Sequence, residues 1–247
     1  MATNSNKEAK HEWIDIPIWA MLIEHEEALI MYDCGCIQDA MESDVWPEFL
    51  KDRSPYYHTP EQTVPAQLAK LGYSAKDVEI LIASHTHIDH FGNIGLFAHA
   101  DVYAPMEDWL RALTITHQYG DKSRHGSFIK ADYEVPVKEY HLISIGEDFE
   151  LLPGIDIITL PGHAANILGM VLHFEKDGTI IIPNDAAARE DVMGPPIKFS
   201  GNTYDSLSFA NSVEKVRRLQ KKYKAQIFYA HSKTQFATLK HFPDYYE

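Results

Sequence analysis

The chain has 247 residues, of which 45% are apolar, and its formal net charge is −14. This is enough material for one large core, and no shift in composition marks a boundary, so we expect a single domain over residues 1–247. The negative charge would repel phosphate backbones and argues against a nucleic-acid partner. Residues 1–11 lack a signal-peptide pattern and are expected to be flexible, and no apolar run could span a membrane, which predicts a cytoplasmic protein.

The first third of the chain reads as a β-hairpin followed by a helix and a strand. Apolar, β-rich runs at residues 13–24 and 28–32 flank a charged tripeptide, which predicts the hairpin. Helical spacing of apolar residues predicts a helix over residues 61–71. A short buried strand at residues 78–83 then leads directly into Ser84 and His85.

The remaining elements continue this alternation. We predict a strand at 100–103 and a helix at 106–113, followed by an aperiodic polar stretch at 117–135 that could form a mobile wall of a pocket. Further predicted elements are a strand at 155–160, a hairpin of 170–174 with 179–182, a helix at 205–223 that Asp205 caps, and a strand at 225–230. The pattern predicts a mixed α/β protein with sheets buried under helices.

A cluster of His and Asp residues follows the strand at 78–83. The hexapeptide His85-Thr86-His87-Ile88-Asp89-His90 places three imidazoles and a carboxylate where the strand gives way to a loop. These groups are the usual protein ligands of zinc. Alternate positions can direct His85 and His87 at one ion, while Asp89 and His90 face a second. A single such His is more often a satisfied core residue, but burying all four groups without a cation would cost several kcal/mol.

Two ions need more ligands than one loop supplies, and other strand ends offer candidates. His163 follows the strand at 155–160, Asp185 follows the second hairpin, and His231 follows the last strand. Sites built on sheets commonly gather ligands at the carboxyl ends of strands. The two cysteines, Cys34 and Cys36, fit neither a disulfide framework nor a Cys-x-x-Cys pair, and we interpret them as core residues, with a part in the metal site as the alternative.

The same residues carry a resemblance to a known family. The chain resembles the metallo-β-lactamase superfamily, and within it the N-acyl homoserine lactonases, over nearly its whole length. The matching motifs are Leu22-Ile23-Glu24-His25, Asp33-Cys34-Gly35, the hexapeptide from His85 to His90 with Gly92-Asn93, Pro161-Gly162-His163, Asn184-Asp185, Tyr229-Ala230-His231 and Phe242-Pro243-Asp244-Tyr245.

This resemblance implies a fold and a ligand set. The implied fold is a four-layer αβ/βα sandwich, of the α/β (α+β) class. The implied ligands are His85, His87 and His163 for one Zn²⁺ and Asp89, His90 and His231 for the other, with Asp185 bridging both ions. Other divalent transition metals could take the place of zinc.

The chain also departs from the lactonase pattern. In those enzymes a Tyr that contacts the substrate carbonyl usually stands three residues after the bridging Asp, and here that position is Ala188. Tyr204 or Tyr223 could replace that phenol. The family commonly continues Ser/Thr-Pro-Gly-His after the third His, whereas Ala164 to Ile167 follow His163. The position after His231 is Ser232 instead of the usual Asp.

The implied function is that of a dinuclear-zinc hydrolase. A hydroxide bridging two ions about 3.5–4 Å apart would open a lactone ring, with N-acyl homoserine lactone or a related small lactone as substrate, which is quorum quenching. Asp89 and Asp185 are the predicted catalytic carboxylates, Asp89 as the proton carrier. Asp33 could orient a ligand imidazole, and the segment from Trp13 to Trp19 and the aromatic C-terminal end could contribute to a homodimer.

Three alternatives stay open. One is a glyoxalase II thioesterase, although that family normally carries a further helical region after the last ligand and only 16 residues follow His231 here. Another is a hydrolase of cyclic amides or other esters. The third is a metal-binding module without catalytic activity.

Overall fold

The computed structural model describes residues 13–247, so the expectation for residues 1–11 lies outside the described part. Tertiary contacts divide the described chain into two compact units. The N-terminal unit is Ile18–Ile143, and the C-terminal unit is Ser144–Glu247 together with residues 13–17. The single domain predicted from the sequence stays a prediction.

The N-terminal unit contains a five-stranded mixed sheet with strand order β1-β2-β3-β4-β5. The β1/β2 hairpin is antiparallel, and the other three pairs are parallel. The strands are β1 (Met21–Glu24), β2 (Leu29–Tyr32), β3 (Ile80–Ile82), β4 (Asp101–Pro105) and β5 (Glu139–Ile143). The helices are α1 (Glu48–Arg53), α2 (Val64–Lys70), α3 (Ile88–Phe91) and α4 (Met106–Gln118).

Packing in the N-terminal unit places the loops after β2 and β3 side by side. These strands are parallel neighbours, with Tyr32 paired to Ile82, so the residues that follow each strand emerge at the same edge of the sheet. Behind this edge, Leu81, Phe91 and Val102 belong to one buried apolar cluster that attaches α3 to the sheet. The sheet therefore holds Asp33, after β2, next to Ser84, after β3.

The C-terminal unit contains a second five-stranded mixed sheet with strand order β10-β9-β8-β7-β6. Its β10/β9 pair is parallel, and the other three pairs are antiparallel. The strands are β6 (Phe149–Leu152), β7 (Ile155–Thr159), β8 (Leu168–Phe174), β9 (Gly178–Ile182) and β10 (Gln226–Ile227), and the helices are α5 (Ser206–Tyr223) and α6 (Lys233–Phe236).

Helix α5 covers one face of this sheet. Its apolar stripe, which includes Phe209, Val213 and Val216, is fully buried with Val171 and Ile181 of the sheet. The carboxylate of Asp205 accepts a hydrogen bond from the backbone N–H of Ser208 at 2.7 Å and so caps the helix, as the sequence predicts. No helix within residues 13–247 is long and apolar enough to cross a membrane.

Several predicted element boundaries were wrong. The first hairpin strand begins at Met21 instead of residue 13, and the predicted strand 225–230 is reduced to Gln226–Ile227. Helix α4 runs five residues past the predicted end, to Gln118, and the sequence reading missed β5 and β6. The missed strands have mixed polarity and partial exposure, so their hydrophobic alternation is weak.

Candidate metal centre

His85 and His87 lie in the loop between β3 and α3, and both are buried. His87 is the residue that precedes the first turn of α3. The Nε2 atom of His85 lies 3.0 Å from Nδ1 of His87, and the two rings meet nearly edge to face. The two imidazoles therefore present nitrogen atoms to one small region, as expected for ligands of a shared ion.

Asp89 and His90 occupy the first turn of α3. His90 is buried, and its Nε2 lies 3.5 Å from Oδ2 of Asp89. On the opposite side of the ring, Nδ1 donates to Oδ2 of Asp33 at 2.8 Å. Burial alone lowers the pKa of His90, but the Asp89 and Asp33 carboxylates outweigh it and hold this pKa well above its ordinary value. This position therefore favours a positive charge.

His163, Asp185 and His231 come together within the C-terminal unit. Oδ2 of Asp185 lies 3.1 Å from Nε2 of His163, and Oδ1 lies 3.0 Å from Nε2 of His231. All three side chains are buried. Asp185 follows Asn184, whose backbone adopts the left-handed conformation that Asn tolerates better than most residues. One carboxylate thus faces a different imidazole with each oxygen, which suits a ligand that bridges two ions.

The protonation of these imidazoles tests whether the residues fit a metal. Nδ1 of His231 lies 2.9 Å from the carbonyl oxygen of Pro17, which can only accept, so Nδ1 carries the proton. A neutral His231 would direct the lone pair of Nε2 at a carboxylate oxygen of Asp185, 3.0 Å away. Two acceptors at this distance need a proton or a metal cation between them. The donor set of imidazoles and carboxylates is that of a divalent transition metal.

Asp33 fixes the protonation of two imidazoles in the N-terminal unit. Its buried carboxylate accepts from the backbone N–H of Ser84 at 2.7 Å and from the Ser84 hydroxyl at 2.9 Å. Because the hydroxyl proton is used there, Nδ1 of His85, 3.1 Å from the Ser84 oxygen, must be the donor in that contact. Nε2 is thereby left, in His85 and in His90, as the nitrogen available to a metal. The orienting role predicted for Asp33 agrees with this geometry.

The cysteines belong to the core. Cys34 and Cys36 are buried in two apolar clusters, and the Cys34 thiol donates to the carbonyl of His90. Burial raises the pKa of both thiols well above their ordinary value, so they stay protonated and are poor metal ligands.

The two candidate phenols occupy different places in the C-terminal unit. The backbone N–H of Tyr204 donates to the carbonyls of Gly162 and His163, and Tyr204 lines a cavity of about 430 Å³ together with Gly162 and Ala165. The hydroxyl of Tyr223 instead accepts from Lys222, and its ring packs against His173 on the exposed side of β8. Tyr204 is therefore the candidate whose backbone contacts a predicted ligand, His163.

Sequence reasoning missed two residues that hold the hexapeptide. The buried carboxylate of Asp108, in the first turn of α4, accepts two hydrogen bonds from Thr86, and the hydroxyl of Tyr133 donates to the carbonyl of Thr86. Asp108 follows Thr86 by 22 residues and Tyr133 follows it by 47. No local pattern links positions so far apart in the chain.

A family model described as the metallo-beta-lactamase superfamily matches residues 13–231. With this coverage, a mixed sheet in each unit and clustered His and Asp side chains, the chain belongs to the metallo-β-lactamase superfamily.

Its relatives within the superfamily include proteins named as N-acyl homoserine lactonases. The chain is 28% identical over 233 residues to N-acyl homoserine lactonase AiiB of Agrobacterium fabrum, which covers 92% of this chain and 83% of that protein. It is 26% identical over 234 residues to the N-acyl homoserine lactonase of Bacillus cereus, covering 94% of this chain and 88% of that protein.

Solved structures confirm the predicted fold class. An N-acyl homoserine lactone hydrolase with the product N-hexanoyl-L-homoserine at its catalytic metal centre matches with a TM-score of 0.80 at 22% identity, covering 98% of this chain and 91% of that chain. The dizinc quorum-quenching lactonase AidC matches with a TM-score of 0.63 at 19% identity, covering 88% of this chain and 73% of that chain. These similarities establish the metallo-β-lactamase fold.

Proposed function

We propose that this protein is a metal-dependent hydrolase that opens the ring of N-acyl homoserine lactones or related small lactones. Membership of the superfamily and the similarity to relatives named as N-acyl homoserine lactonases support this proposal. The observation that carries it is the carboxylate of Asp185, which faces His163 with one oxygen and His231 with the other.

The proposed metal ligands are the seven residues predicted from the sequence, and the proposed metals are two Zn²⁺ ions. The imidazoles of His85, His87 and His163 would hold one ion. The second ion would be held by Asp89, His90 and His231, and Asp185 would bridge the two. The metal-facing Nε2 atoms of His85, His90 and His231 support this arrangement.

When bound, the ions would supply an acidified water as nucleophile and positive charge for the developing oxyanion. The chain would supply the proton transfer. The side chain of Asp89 is 23% exposed, whereas that of His90 beside it is 4% exposed, so Asp89 is accessible to a substrate. Asp89 would take a proton from the attacking water and return it to the ring oxygen as the ester C–O bond breaks. The product is an open hydroxy acid.

The proposed contact for the substrate carbonyl is Tyr204. The position that usually carries the family's phenol is Ala188, whose carbonyl accepts from the backbone N–H of His231 and whose side chain has no donor. Tyr204 lies beside His163 and is 53% exposed at the edge of the cavity that it lines. The apolar side chains of Ile145 and Pro161 in the same cavity suit an acyl tail.

Metal content and lactone hydrolysis test the proposal together. Protein purified without chelator should contain close to two transition-metal ions per chain by elemental analysis. It should release acid from a panel of acyl homoserine lactones, which the fall in pH of a weakly buffered solution measures. His87→Ala and Asp185→Asn should lose both metal and activity, because each removes a proposed ligand.

The same panel separates the alternatives. Activity confined to thioesters or lactams would assign the protein to another branch of the superfamily. Two bound metals without any hydrolysis would indicate a binding module. A fully active protein without metal would contradict the proposal outright.

A homodimer and a cytoplasmic location complete the proposal. Trp13, Ile14 and Ile16 are exposed and form an apolar segment that a second copy could cover. Light scattering during size-exclusion chromatography should give a mass near twice the 28.1 kDa of the chain. The substitution Trp13→Ser should shift that mass toward the monomer.

A further inference from the structure

Thr86 lies between two of the proposed metal ligands, and every polar group that it has is engaged within the N-terminal unit. Its backbone N–H donates to Oδ2 of Asp108 at 2.9 Å, and its hydroxyl donates to the same oxygen at 2.7 Å. Its carbonyl accepts from the hydroxyl of Tyr133 at 2.9 Å. The residue that separates His85 from His87 is therefore held from both sides.

The two residues that hold Thr86 are themselves fixed. Asp108 is fully buried and occupies the first turn of α4, where the helix dipole stabilises a carboxylate. The ring of Tyr133 is stacked on Phe91, with ring centroids 5.7 Å apart. Burial raises the pKa of Tyr133 well above its ordinary value, so its hydroxyl keeps the proton that it donates. Neither contact depends on a mobile surface side chain.

The conformation of Thr86 decides where the flanking imidazoles point. Where the backbone is extended, side chains two positions apart point the same way, so the directions of His85 and His87 depend on the backbone conformation of Thr86. Their nearest nitrogens are 3.0 Å apart, and zinc ligation tolerates only a few tenths of an ångström. A small rotation at Thr86 would move one donor away from the other.

We propose that Asp108 is a positioning residue for the metal centre, acting through Thr86, with Tyr133 as its counterpart on the carbonyl side. This inference rests on the proposed function in one respect, since it takes His85 and His87 to be metal ligands. Asp108 does not touch the metal or the substrate in this role. It sets the separation and direction of the two imidazoles, as outer-shell partners of metal ligands commonly do.

The first test is the substitution Asp108→Asn, which keeps the size of the side chain but removes the charge and one acceptor. We expect the dissociation constants for Zn²⁺ and Co²⁺, measured by competition with a chromophoric chelator, to rise by about 10- to 100-fold. The visible spectrum of the Co²⁺ protein should change because the ligand geometry changes. Asp121→Asn is the matched control, since it neutralises an exposed carboxylate that caps a turn of the same unit.

A second pair of variants keeps the test sharp if Asp108→Asn does not fold. Thr86→Val removes only the hydroxyl, whereas Thr86→Ser retains it. We expect Thr86→Val to weaken metal binding by about 3- to 10-fold, in line with the loss of one hydrogen bond, and Thr86→Ser to bind like the wild type. Where Asp108→Asn folds, the double variant with Thr86→Val should lose less affinity than the product of the two single losses.

The outcomes separate this inference from the proposed function. If the wild type binds two metals, and Asp108→Asn and Thr86→Val bind them equally tightly with an unchanged Co²⁺ spectrum, the positioning role is refuted and the proposed function stands. If the wild type binds no metal, both are refuted. The inference is supported if Asp108→Asn and Thr86→Val bind metal more weakly with an altered Co²⁺ spectrum, while Thr86→Ser and Asp121→Asn keep the normal spectrum.

Discussion

Hydrogen bonds on the far side of three of the imidazoles decide which nitrogen is available to a metal. Nδ1 of His90 contacts Asp33, and Nδ1 of His85 contacts Ser84, which itself donates to Asp33. Nδ1 of His231 contacts a backbone carbonyl. Carboxylates and carbonyls can only accept, and the Ser84 hydroxyl uses its proton on Asp33, so in each case Nδ1 carries a proton and Nε2 is the nitrogen available to a metal. Asp33 therefore controls two of the proposed ligands at once.

The substitution Asp33→Asn tests this control. The Asn amide cannot accept from Ser84 and His90 as the carboxylate does, and its NH₂ group opposes their donors. We expect metal affinity, measured by chelator competition, to fall by about 10- to 100-fold. Asp44→Asn, at an exposed position of the same unit, should leave affinity unchanged. Equal affinity in both variants would exclude the orienting role.

The substitution Tyr204→Phe tests the proposed contact with the substrate. It removes a single hydroxyl and leaves the backbone hydrogen bonds of Tyr204 to Gly162 and His163 in place. We expect kcat/KM for an acyl homoserine lactone to fall by roughly 3- to 10-fold, the effect of losing one hydrogen bond, while metal content is unchanged. Tyr223→Phe should have wild-type kinetics. If the two variants behave alike, Tyr204 has no such role.

At the scale of elements, the proposed ligands of the C-terminal unit depend on a close contact between a loop and a helix. Gly162, after β7, has a φ of +139°, and its carbonyl accepts from the backbone N–H groups of Tyr204 and Asp205 just before α5 begins. A Cβ at Gly162 would lie 2.3 Å from the backbone of Phe209 in α5. Only glycine allows this approach, and His163 is the next residue.

The substitution Gly162→Ala should therefore disturb both stability and the site. We expect the free energy of unfolding to fall by about 2–4 kcal/mol, from steric conflict and backbone strain together. Thermal unfolding followed by circular dichroism measures the loss. Gly95→Ala is the control, because a Cβ there meets no atom within 4 Å. If both variants have the same stability as the wild type, the contact does not constrain the fold.

At the scale of the whole molecule, the high negative charge makes a buried acid costly unless it stays protonated. Asp132 is buried, and burial raises its pKa to about 8. Burial, and to a lesser extent the charge of Asp132, raises the pKa of the neighbouring Cys34, Cys36, Tyr133 and Tyr140. These thiols and phenols stay neutral, and none of them can supply a positive charge that would stabilise the carboxylate. In the unfolded chain Asp132 has its ordinary pKa of 3.8.

This difference in pKa predicts how the stability of the molecule depends on pH. The folded state binds the proton of Asp132 more tightly than the unfolded state does. The resulting contribution to the free energy of unfolding is fully present below pH 3.8 and is lost as pH rises through about 8. Between about pH 5 and about pH 9, the free energy of unfolding of the wild type should fall relative to that of Asp132→Asn. Urea unfolding at several pH values measures this difference. A constant difference would show that Asp132 does not titrate in this range.

The sequence alone determined which residues could bind a metal and which elements carry them. The hexapeptide from His85 to His90, together with Asp185 and the His residues at 163 and 231, was predicted because their chemistry and their places at strand ends are local properties. Long periodic elements such as α5 were predicted for the same reason. Their role as ligands stays a prediction.

Only the tertiary structure decided how these residues are oriented. Three contacts set this orientation, and each joins distant positions in the chain. His90 contacts Asp33, 57 residues away, and Thr86 contacts Asp108, 22 residues away. His231 contacts the carbonyl of Pro17, 214 residues away. Hydrogen bonds of this kind leave no periodic signal, because they depend on which strands are neighbours in a sheet and where each loop emerges. The residue types determine which groups can bind a metal, whereas packing between distant parts of the chain determines how their side chains are oriented.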